Sequence, residues 1–305
     1  MSNAHSSKTS IYAAMAANIA IGIAKFIGAG ISGSSAMLSE GIHSVVDSTN
    51  EVLLLYGLHR SETGPDDQHP LGYGQELYFW SLIVAVLIFA LGGGVSIFEG
   101  ITSMKVQAPA HNPMLSYIVL GASAVFEGIA LFVSVREFNK ATPQPADNFW
   151  QTLRNSKDPS SFIVIFEDCA ALIGLGVAFV GVFMSELKGN SIYDSIASIV
   201  IGLLLTVVAI VLVIETKGLL IGESASPETR ESIKQIVKSD EAVTRMDTPI
   251  TLHFGPQDIM LAMNIEFRDN LSADEIEAAT RRIERKIRES HTEVKRIFLE
   301  AASVV

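Results

Sequence analysis

Long apolar stretches fill most of the first 214 residues of the chain. A helix needs about 20 residues to cross the hydrocarbon core of a bilayer, and six stretches reach that length. The last of them is the most apolar, whereas the second and the fifth carry the most polar residues. The pattern predicts an α-helical membrane protein with six transmembrane helices, at 11–31, 36–58, 77–102, 114–137, 161–184 and 192–214.

The pattern changes after Lys217, where charged residues become dense and helical and strand periodicities alternate. Pro227 to Ser239 and Ser272 to Ser290 have helical periodicity and start signals, and the second of these helices opens with a Ser-x-x-Glu capping box. Strands are predicted at 250–254, 259–267 and 294–301. The order αββαβ, over about 85 residues, is typical of a small two-layer α+β domain with one sheet face free for a second copy.

The composition agrees with a membrane protein. Hydrophobic residues make up 49% and charged residues 18% of the chain, whereas soluble domains are about a quarter charged. The net charge of −11 argues against nucleic acid as a partner. The single cysteine, Cys169, excludes an internal disulfide and a metal site made of cysteines alone.

The distribution of lysine and arginine predicts the orientation of the spans. An even number of spans puts both termini on one side, and most Lys and Arg residues of the connecting loops lie on that side. By the positive-inside rule this side is the cytoplasmic one. The polar start from Met1 to Ser10 shows no signal or transit pattern, which favours the inner (plasma) membrane of a bacterium as the host membrane.

The second apolar stretch carries an unusual set of polar residues. Glu40, His43, Asp47, Asn50 and Glu51 follow one another at spacings of three, four, three and one. Residues three and four apart share one face of a helix, so His43 and Asp47 can point at the same spot. Ionisable groups inside a membrane are costly and mark paths for ions or protons. The spacing therefore predicts an ion or proton site on this helix.

Glu167 and Asp168 stand together in the fifth apolar stretch. Neighbouring helical positions diverge by about 100°, so one carboxylate can face a site in the bundle while the other faces elsewhere. Asp168 placed opposite His43 and Asp47 would form a set of one imidazole and two carboxylates, which suits zinc and is compatible with manganese, ferrous iron or cobalt. Glu167, water or another side chain would take the fourth position. The alternative is a hydrogen-bonded contact between helices without a metal.

Other polar residues have simpler interpretations. Lys25 in the first span is expected to snorkel or to contact the polar second helix, without a transport role. Asp66, Asp67 and His69 form an acidic loop that either is solvated or binds a metal. Asp194 stands near the start of the last span, where a carboxylate favours the helix N-terminus. Contacts with neighbouring helices are expected for Asn18, Asn50, Glu99 and Glu127.

Several motifs together resemble the cation diffusion facilitator family. They are the run from Gly30 to Gly41, His43-x-x-x-Asp47, the loop from Asp66 to Gly74 and the start of the last span from Tyr193 to Ser198. The resemblance covers nearly the whole chain. Within the family, Glu167-Asp168-x-Ala-Ala together with the second-span motif is most similar to the branch that contains the mitochondrial zinc transporter of animals.

The resemblance implies a fold and a site. The fold is six transmembrane helices in residues 1–220, followed by a cytoplasmic ferredoxin-like dimerisation domain in residues 221–305. The transport site lies between the second and fifth helices, with two ligands from each. His43 and Asp47 match the first pair, and Asp168 matches one ligand of the second pair. The other position is Val164, so either Glu167 supplies the missing ligand or water completes the site.

The resemblance also implies metal sites outside the membrane. In relatives a site in the loop after the second helix is matched here by Asp66 and His69, with Tyr73 at the position of a third histidine. The C-terminal domain has Asn264 and Glu300 where relatives bind paired metals through histidines. A binuclear metal sensor is therefore not expected in that domain.

The leading hypothesis is a homodimeric secondary transporter that exports a divalent metal ion in exchange for protons by alternating access. Zinc is the expected ion, with manganese, iron and cobalt as alternatives. Neither an enzyme activity nor a resident cofactor is expected, and the sequence lacks the His-Glu-x-x-His motif of many metalloproteases. The alternative is a membrane-anchored metal-binding regulatory protein without transport turnover, against which the six predicted spans argue, because an anchor needs only one.

Overall fold

Six long helices occupy the described part of the first 221 residues. The structure, a computed structural model, describes residues 18–106, 113–141, 149, 152–153 and 157–303. Its helices there are α1 (Asn18–Ser32), α2 (Ser35–Ser61), α3 (Glu76–Lys105), α4 (Pro113–Ala141), α5 (Pro159–Lys188) and α6 (Ile192–Ile221). The middle of α3, Ile88–Gly94, is π-helical.

Four of the described helices, α3 to α6, are long and apolar enough to cross a membrane. Their mean hydropathies are 2.4, 2.1, 2.2 and 3.1 in chain order, so the last predicted span is the most apolar of these four. The described part of α1 is a shorter apolar helix, and residues 11–17 of the predicted first span lie outside the described residues. The protein is therefore a helical membrane protein with four strongly apolar helices. The spans at α1 and at the polar helix α2 stay predictions.

The chain turns sharply between α1 and α2, and a distant carboxylate caps the new helix. Gly33 has a φ of 68°, a left-handed conformation that glycine adopts without strain. Asp194, in the first turn of α6, accepts hydrogen bonds from the backbone N–H groups of Ser35 at 2.6 Å and Ala36 at 3.3 Å. The expectation that Asp194 lies near the N-terminus of the last helix is confirmed. Its carboxylate, however, also satisfies the N-terminus of α2.

Small residues let α6 pack closely against α3. A Cβ atom on Gly202 would lie 2.8 Å from the carbonyl oxygen of Gly93 and 2.6 Å from Ile97 Cγ1, so a larger residue has no room there. Close backbone approach through small residues is a general way of packing helices in membranes. The hydroxyls of Ser39 and Ser198, 2.6 Å apart, join α2 to α6 in the same region.

The C-terminal part of the chain contains two helices and four strands. The helices are α7 (Pro227–Lys238) and α8 (Ala273–Ser290), and the strands are β1 (Val243–Met246), β2 (Ile250–Gly255), β3 (Asp258–Phe267) and β4 (Val294–Ala301). Both predicted helices and all three predicted strands are confirmed, as is the capping box at Ser272 and Glu275. β1 was not predicted, because its four residues show no clear alternation of buried and exposed positions.

Strand β3 is the centre of a small sheet. β1 and β2 pair antiparallel with β3, at residues 265–267 and 258–262 of that strand, and β4 pairs with it in parallel. The side chains of Ile259, Leu261, Met263 and Ile265 alternate into a core with Ile233 of α7 and with α8. The alternation that predicted this strand therefore marks its buried face. The ferredoxin-like assignment of this domain stays a prediction.

The chain forms two compact units by its internal contacts. One consists of the described residues within 18–57 and 80–215, and the other of Leu58–Phe79 together with the described chain from Thr216 onward. In the second unit Arg296 of β4 donates a hydrogen bond of 2.5 Å to the carbonyl oxygen of Leu71 and also binds Asp258. The loop between α2 and α3 therefore packs with the C-terminal sheet.

Candidate metal site

Five carboxylate side chains line one cavity in the transmembrane unit. The cavity has a volume of about 360 Å³ and is bounded by α1, α2, α4 and α5. Its other lining residues include Asn18, Ser134 and Val164. The five carboxylates are Asp47 and Glu51 on α2, Glu127 on α4, and Glu167 and Asp168 on α5.

Helical periodicity explains how these side chains reach the cavity. Asp47 and Glu51 are four residues apart and share one face of α2. Val164 lies three residues before Glu167 and four before Asp168, so one face of α5 presents all three to the cavity. Of the two arrangements that the sequence left open for the adjacent acids, the structure has both of them lining the cavity. The cavity wall is wide enough to include both, although they diverge around the helix axis.

His43 and Asp47 lie one turn apart, as the spacing predicts. The distance from His43 Nδ1 to Asp47 Oδ1 is 3.2 Å, but the two atoms do not form a hydrogen bond. Among the residues that the structure describes, neither ring nitrogen of His43 nor Asp47 Oδ1 has a hydrogen-bond partner. Buried polar atoms without partners are rare in folded proteins and call for an explanation. A ligand that accepts lone pairs from an imidazole and a carboxylate would provide it.

The two acids of α5 are each held by a neighbouring helix. Glu167 Oε1 accepts a hydrogen bond of 2.5 Å from Asn50 Nδ2 on α2. Asp168 Oδ2 accepts one of 3.0 Å from Ser134 Oγ on α4. The expected contact of Asn50 with a neighbouring helix is confirmed. These bonds fix the orientation of both carboxylates and leave each with a second oxygen.

The structure brings the predicted ligands near one another without closing a ligand shell. Asp47, Glu167 and Asp168 line the cavity, whereas His43 is buried beside Asp47 and does not line it. Within the described residues, no group of three or more His, Cys, Asp or Glu side chains is arranged to hold a metal ion. The assignment of His43, Asp47, Asp168 and Glu167 as ligands therefore stays a prediction.

The loop residues Asp66 and His69 form a compact turn. Asp66 Oδ1 accepts the backbone N–H of His69 at 2.6 Å, and Oδ2 accepts the hydroxyl of Tyr73 at 2.7 Å. These hydrogen bonds, with that of Tyr73 the strongest influence, lower the pKa of Asp66. Both oxygens of the carboxylate thus stabilise the loop itself. A metal site at Asp66 and His69 stays a prediction.

Sequence reasoning did not assign Glu51 and Glu127 to the site. Glu51 Oε1 accepts a hydrogen bond of 2.7 Å from Asn18 Nδ2, and Glu127 faces the cavity from α4. Their signal in the sequence was only the presence of an acid within an apolar stretch, which is also typical of a contact between helices. Whether such an acid lines the cavity or only contacts a neighbouring helix depends on how each helix is rotated about its axis, which the sequence does not show.

Comparison with known proteins extends these observations. Residues 11–221 match the sequence profile described as the cation efflux transmembrane domain. This chain belongs to the cation efflux, or cation diffusion facilitator, family. The predicted resemblance is confirmed, and the matched profile describes a transport domain rather than an enzyme.

Two relatives of this cation efflux chain are consistent with the predicted branch of the family, and a third is a more distant transporter. Metal tolerance protein C4 of Arabidopsis thaliana is 34% identical over 79% of this chain and 52% of its own length. The mitochondrial proton-coupled zinc antiporter SLC30A9 of Xenopus laevis is 33% identical over 77% of this chain and 42% of its own length. This cation efflux chain thus spans about half the length of these two relatives. The manganese efflux system protein MneP of Bacillus subtilis is 22% identical over 94% of this chain and 92% of its own length.

Proposed function

We propose that this protein is a proton-coupled efflux transporter for a divalent metal ion. The observation that carries the proposal is the acidic cavity between α1, α2, α4 and α5, with Asp47 at its α2 wall and His43 buried beside Asp47. Among the described residues, both ring nitrogens of His43 and Asp47 Oδ1 have no hydrogen-bond partner. Zinc is the proposed ion, because the SLC30A9 relative is a zinc antiporter. Manganese is the first alternative, because the relative MneP is a manganese efflux protein, and iron and cobalt follow.

The proposed ligands are His43, Asp47 and Asp168, with Glu167 or water in the fourth position. One imidazole and two or three carboxylates form a nitrogen and oxygen donor set that suits zinc. Asn50 and Ser134 orient the two acids of α5 through their hydrogen bonds, and such support of ligands by neighbouring groups strengthens metal sites. Val164 occupies the position of α5 where the family resemblance implies a ligand, and its side chain has no donor atom. α5 therefore offers one metal ligand fewer than the family pattern.

Protons and the metal compete for the same side chains in this proposal. A carboxylate or an imidazole must be deprotonated before it binds a metal ion, so metal binding releases protons. Protons that enter from the far side would expel the ion there. The cavity would open alternately to the two faces of the membrane, and the protein would thereby exchange the metal ion for protons, as other carriers exchange their substrates.

The architecture proposed for this function goes beyond the four strongly apolar helices. α1 and α2 would also span the membrane and keep their polar faces inside the bundle, which would make residues 1–220 the transport domain. Residues 221–305 would form a cytoplasmic ferredoxin-like dimerisation domain. Support for a homodimer comes from the apolar residues Ile250 and Phe298 of the C-terminal sheet, which are 69% and 56% exposed. Both termini would be cytoplasmic, and the inner membrane of a bacterium remains the proposed host membrane.

A metal-binding regulatory protein without transport turnover is the second candidate. One observation favours it: Val164 stands on α5 where the family resemblance implies a ligand, so the intramembrane set is one donor short of a complete transport site. The described residues also contain no convergent set of three ligands, but a transporter whose helices rearrange can assemble its ligands in another conformation. The two functions differ in whether metal crosses the membrane.

Metal uptake into proteoliposomes under an imposed pH gradient tests the proposal. Zinc, manganese, ferrous iron and cobalt are compared with indicator dyes inside the vesicles, and the double variant Asp47→Ala with Asp168→Ala serves as the negative control. Asp269→Ala, an exposed acid of the C-terminal unit, is the matched control. We expect gradient-dependent uptake in the wild type and in Asp269→Ala, and none in the double variant. Binding of metal without flux of any ion would refute the transporter and favour the regulatory protein.

A further inference from the structure

The ammonium group of Lys25 lies inside the helix bundle and not at a membrane surface. The side chain of Lys25 is fully buried. Its Nζ atom lies 3.2 Å from Glu40 Oε2 and donates a hydrogen bond of 2.9 Å to Ser44 Oγ, both on α2. The expected contact with the polar second helix is confirmed. Snorkelling is wrong, because the partners of this ammonium lie within the bundle.

A second carboxylate approaches the same ammonium group from the cavity. Lys25 Nζ lies 3.9 Å from Glu127 Oε1 on α4. Glu127 lines the acidic cavity, and its side chain is 15% exposed. Ser44 lines the same cavity. Glu40 is fully buried and is not among the residues that line the cavity. Lys25 therefore joins one carboxylate outside the cavity to one inside it.

The two carboxylates differ in how firmly they are placed. A Cβ atom on Gly174 of α5 would lie 2.6 Å from Glu40 Oε1, so the α5 backbone passes directly against Glu40. Glu40 also has the shorter distance to Lys25, and breaking such a buried ion pair is strongly destabilising. Glu40 is thus a fixed partner of Lys25. Glu127, at the longer distance and partly exposed, is the partner that can change.

Electrostatics links this arrangement to ion binding. A fixed positive charge beside a cavity repels a divalent cation that enters it, and the repulsion is strong where the surroundings exclude water. The same charge attracts Glu127. An ion in the cavity and the ammonium of Lys25 therefore compete for one carboxylate.

We propose, on the basis of the metal transport proposed above, that Lys25 sets the affinity of the cavity for its ion. Lys25 pairs with Glu127 when no divalent ion is bound, and it yields that carboxylate when an ion enters. The competition weakens binding of the ion and speeds its release. Lys25 is a positioning residue in this role, because it acts through Glu127 and not by touching the ion.

Zinc binding to the purified full-length protein in detergent, measured by titration calorimetry, tests the proposal. Lys25→Gln frees Glu127 and removes the repulsion, so the Kd for zinc should fall about tenfold. Glu40→Gln removes one carboxylate partner of Lys25, and within the described residues Glu127 is the carboxylate that remains. Lys25 then holds Glu127 more firmly, so the Kd for zinc should rise. Lys25→Arg retains the charge and should bring the Kd back toward that of the wild type. If the ion pair served only the stability of the fold, both Lys25→Gln and Glu40→Gln would bind zinc more weakly than the wild type.

Flux measurements provide a second readout. In proteoliposomes Lys25→Gln should lower the KM and the kcat for zinc together, because an ion that binds more tightly leaves more slowly. If Lys25→Gln does not fold, as judged by gel filtration, the double variant Lys25→Gln with Glu40→Gln takes its place. Its two neutral side chains remove the unpaired buried charge, and its Kd should be lower than that of Glu40→Gln alone.

The outcomes separate this inference from the function on which it rests. A Kd for Lys25→Gln equal to or above that of the wild type would overturn the role of Lys25, as would a double variant with the same Kd as Glu40→Gln. Either result could occur in a protein that still transports zinc. Wild-type protein that binds zinc but moves none would refute the transport function, while the comparison of Kd values would still decide the role of Lys25 in affinity.

Discussion

Asp194 joins α6 to the start of α2, and its removal should destabilise the transmembrane unit. Its carboxylate accepts hydrogen bonds from the backbone N–H groups of Ser35 at 2.6 Å and Ala36 at 3.3 Å. It also accepts the hydroxyls of Ser34 at 2.6 Å and Ser35 at 3.0 Å. Asp194→Ala would leave two backbone donors without this acceptor in a buried place. It would also remove a negative charge from the positive end of the α2 dipole.

The size of the effect follows from the bonds that are lost. A buried donor without its partner costs about 1–3 kcal/mol, so the two backbone groups together amount to about 4 kcal/mol, while the hydroxyls can turn to other acceptors. At roughly 2 °C per kcal/mol for a chain of this size, the midpoint of thermal unfolding should fall by about 8 °C. Asp194→Asn keeps one oxygen acceptor, and its loss should be roughly half as large.

Tryptophan fluorescence during heating of the purified protein in detergent measures this midpoint. Asp269→Ala removes an exposed acid from the C-terminal unit and should leave the midpoint unchanged. The order wild type, Asp194→Asn, Asp194→Ala is the expected order of decreasing stability. A midpoint of Asp194→Ala equal to that of the wild type would refute the reasoning, because the bonds to α2 would then contribute no net stability.

Three further predictions concern packing and charge. Gly174→Ala would place a methyl carbon 2.6 Å from a carboxylate oxygen of α2, and such overpacking should lower the free energy of unfolding by about 1–3 kcal/mol in a thermal assay. Tyr73→Phe removes the hydroxyl that most lowers the pKa of Asp66, so that pKa should rise in an NMR titration. Arg282→Met removes two hydrogen bonds of 2.7 Å to the buried Asp240 and should destabilise the C-terminal unit by about 1.5–3 kcal/mol. The pKa of Asp240 is lowered by Arg282, so this stability is present above the ordinary carboxyl pKa and is lost as the pH falls through the lowered value.

Each of these predictions has a control and a contrary outcome. Gly121→Ala adds a methyl group that would have no atom within 4 Å apart from its chain neighbours and the backbone of its own helix, and it should be tolerated. Equal losses in Gly174→Ala and Gly121→Ala would therefore contradict the packing argument. An unchanged pKa of Asp66 in Tyr73→Phe would show that the backbone bonds alone hold it down. Arg281→Met, at a neighbouring exposed arginine, is the control for Arg282→Met, and equal stabilities of these two variants would contradict the role of the Asp240 pair.

Two features of the cavity fit the proposed transport of a divalent ion. Several carboxylates line it and would attract a divalent cation, and the ammonium group of Lys25 lies 3.9 Å from one of them, Glu127, where we propose that it limits how tightly the ion is held. Asn50 and Ser134 keep the acids of α5 in place, while Lys25 is shared between Glu40 and Glu127. An ion that binds too tightly would not leave, so attraction and competition within one cavity are consistent with transport.

Local patterns in the sequence determined most of the elements of the fold. Apolar length predicted the helices α3 to α6, and the alternation in β3 and the capping box of α8 predicted much of the C-terminal domain. The one-turn spacing of His43 and Asp47 placed them side by side on α2. These features depend on residues that are close together in the chain, and periodicity and capping chemistry are therefore sufficient to recognise them.

Contacts between distant residues were decided only by the tertiary structure. The capping of α2 by Asp194 joins residues about 160 positions apart, and the sharing of Lys25 by Glu40 and Glu127 depends on how three helices are rotated about their axes. Periodicity shows which residues of one helix share a face, but not which neighbour that face meets. For this reason the sequence identified acids within the membrane segments, and only the packing of the helices showed that five of them line one cavity.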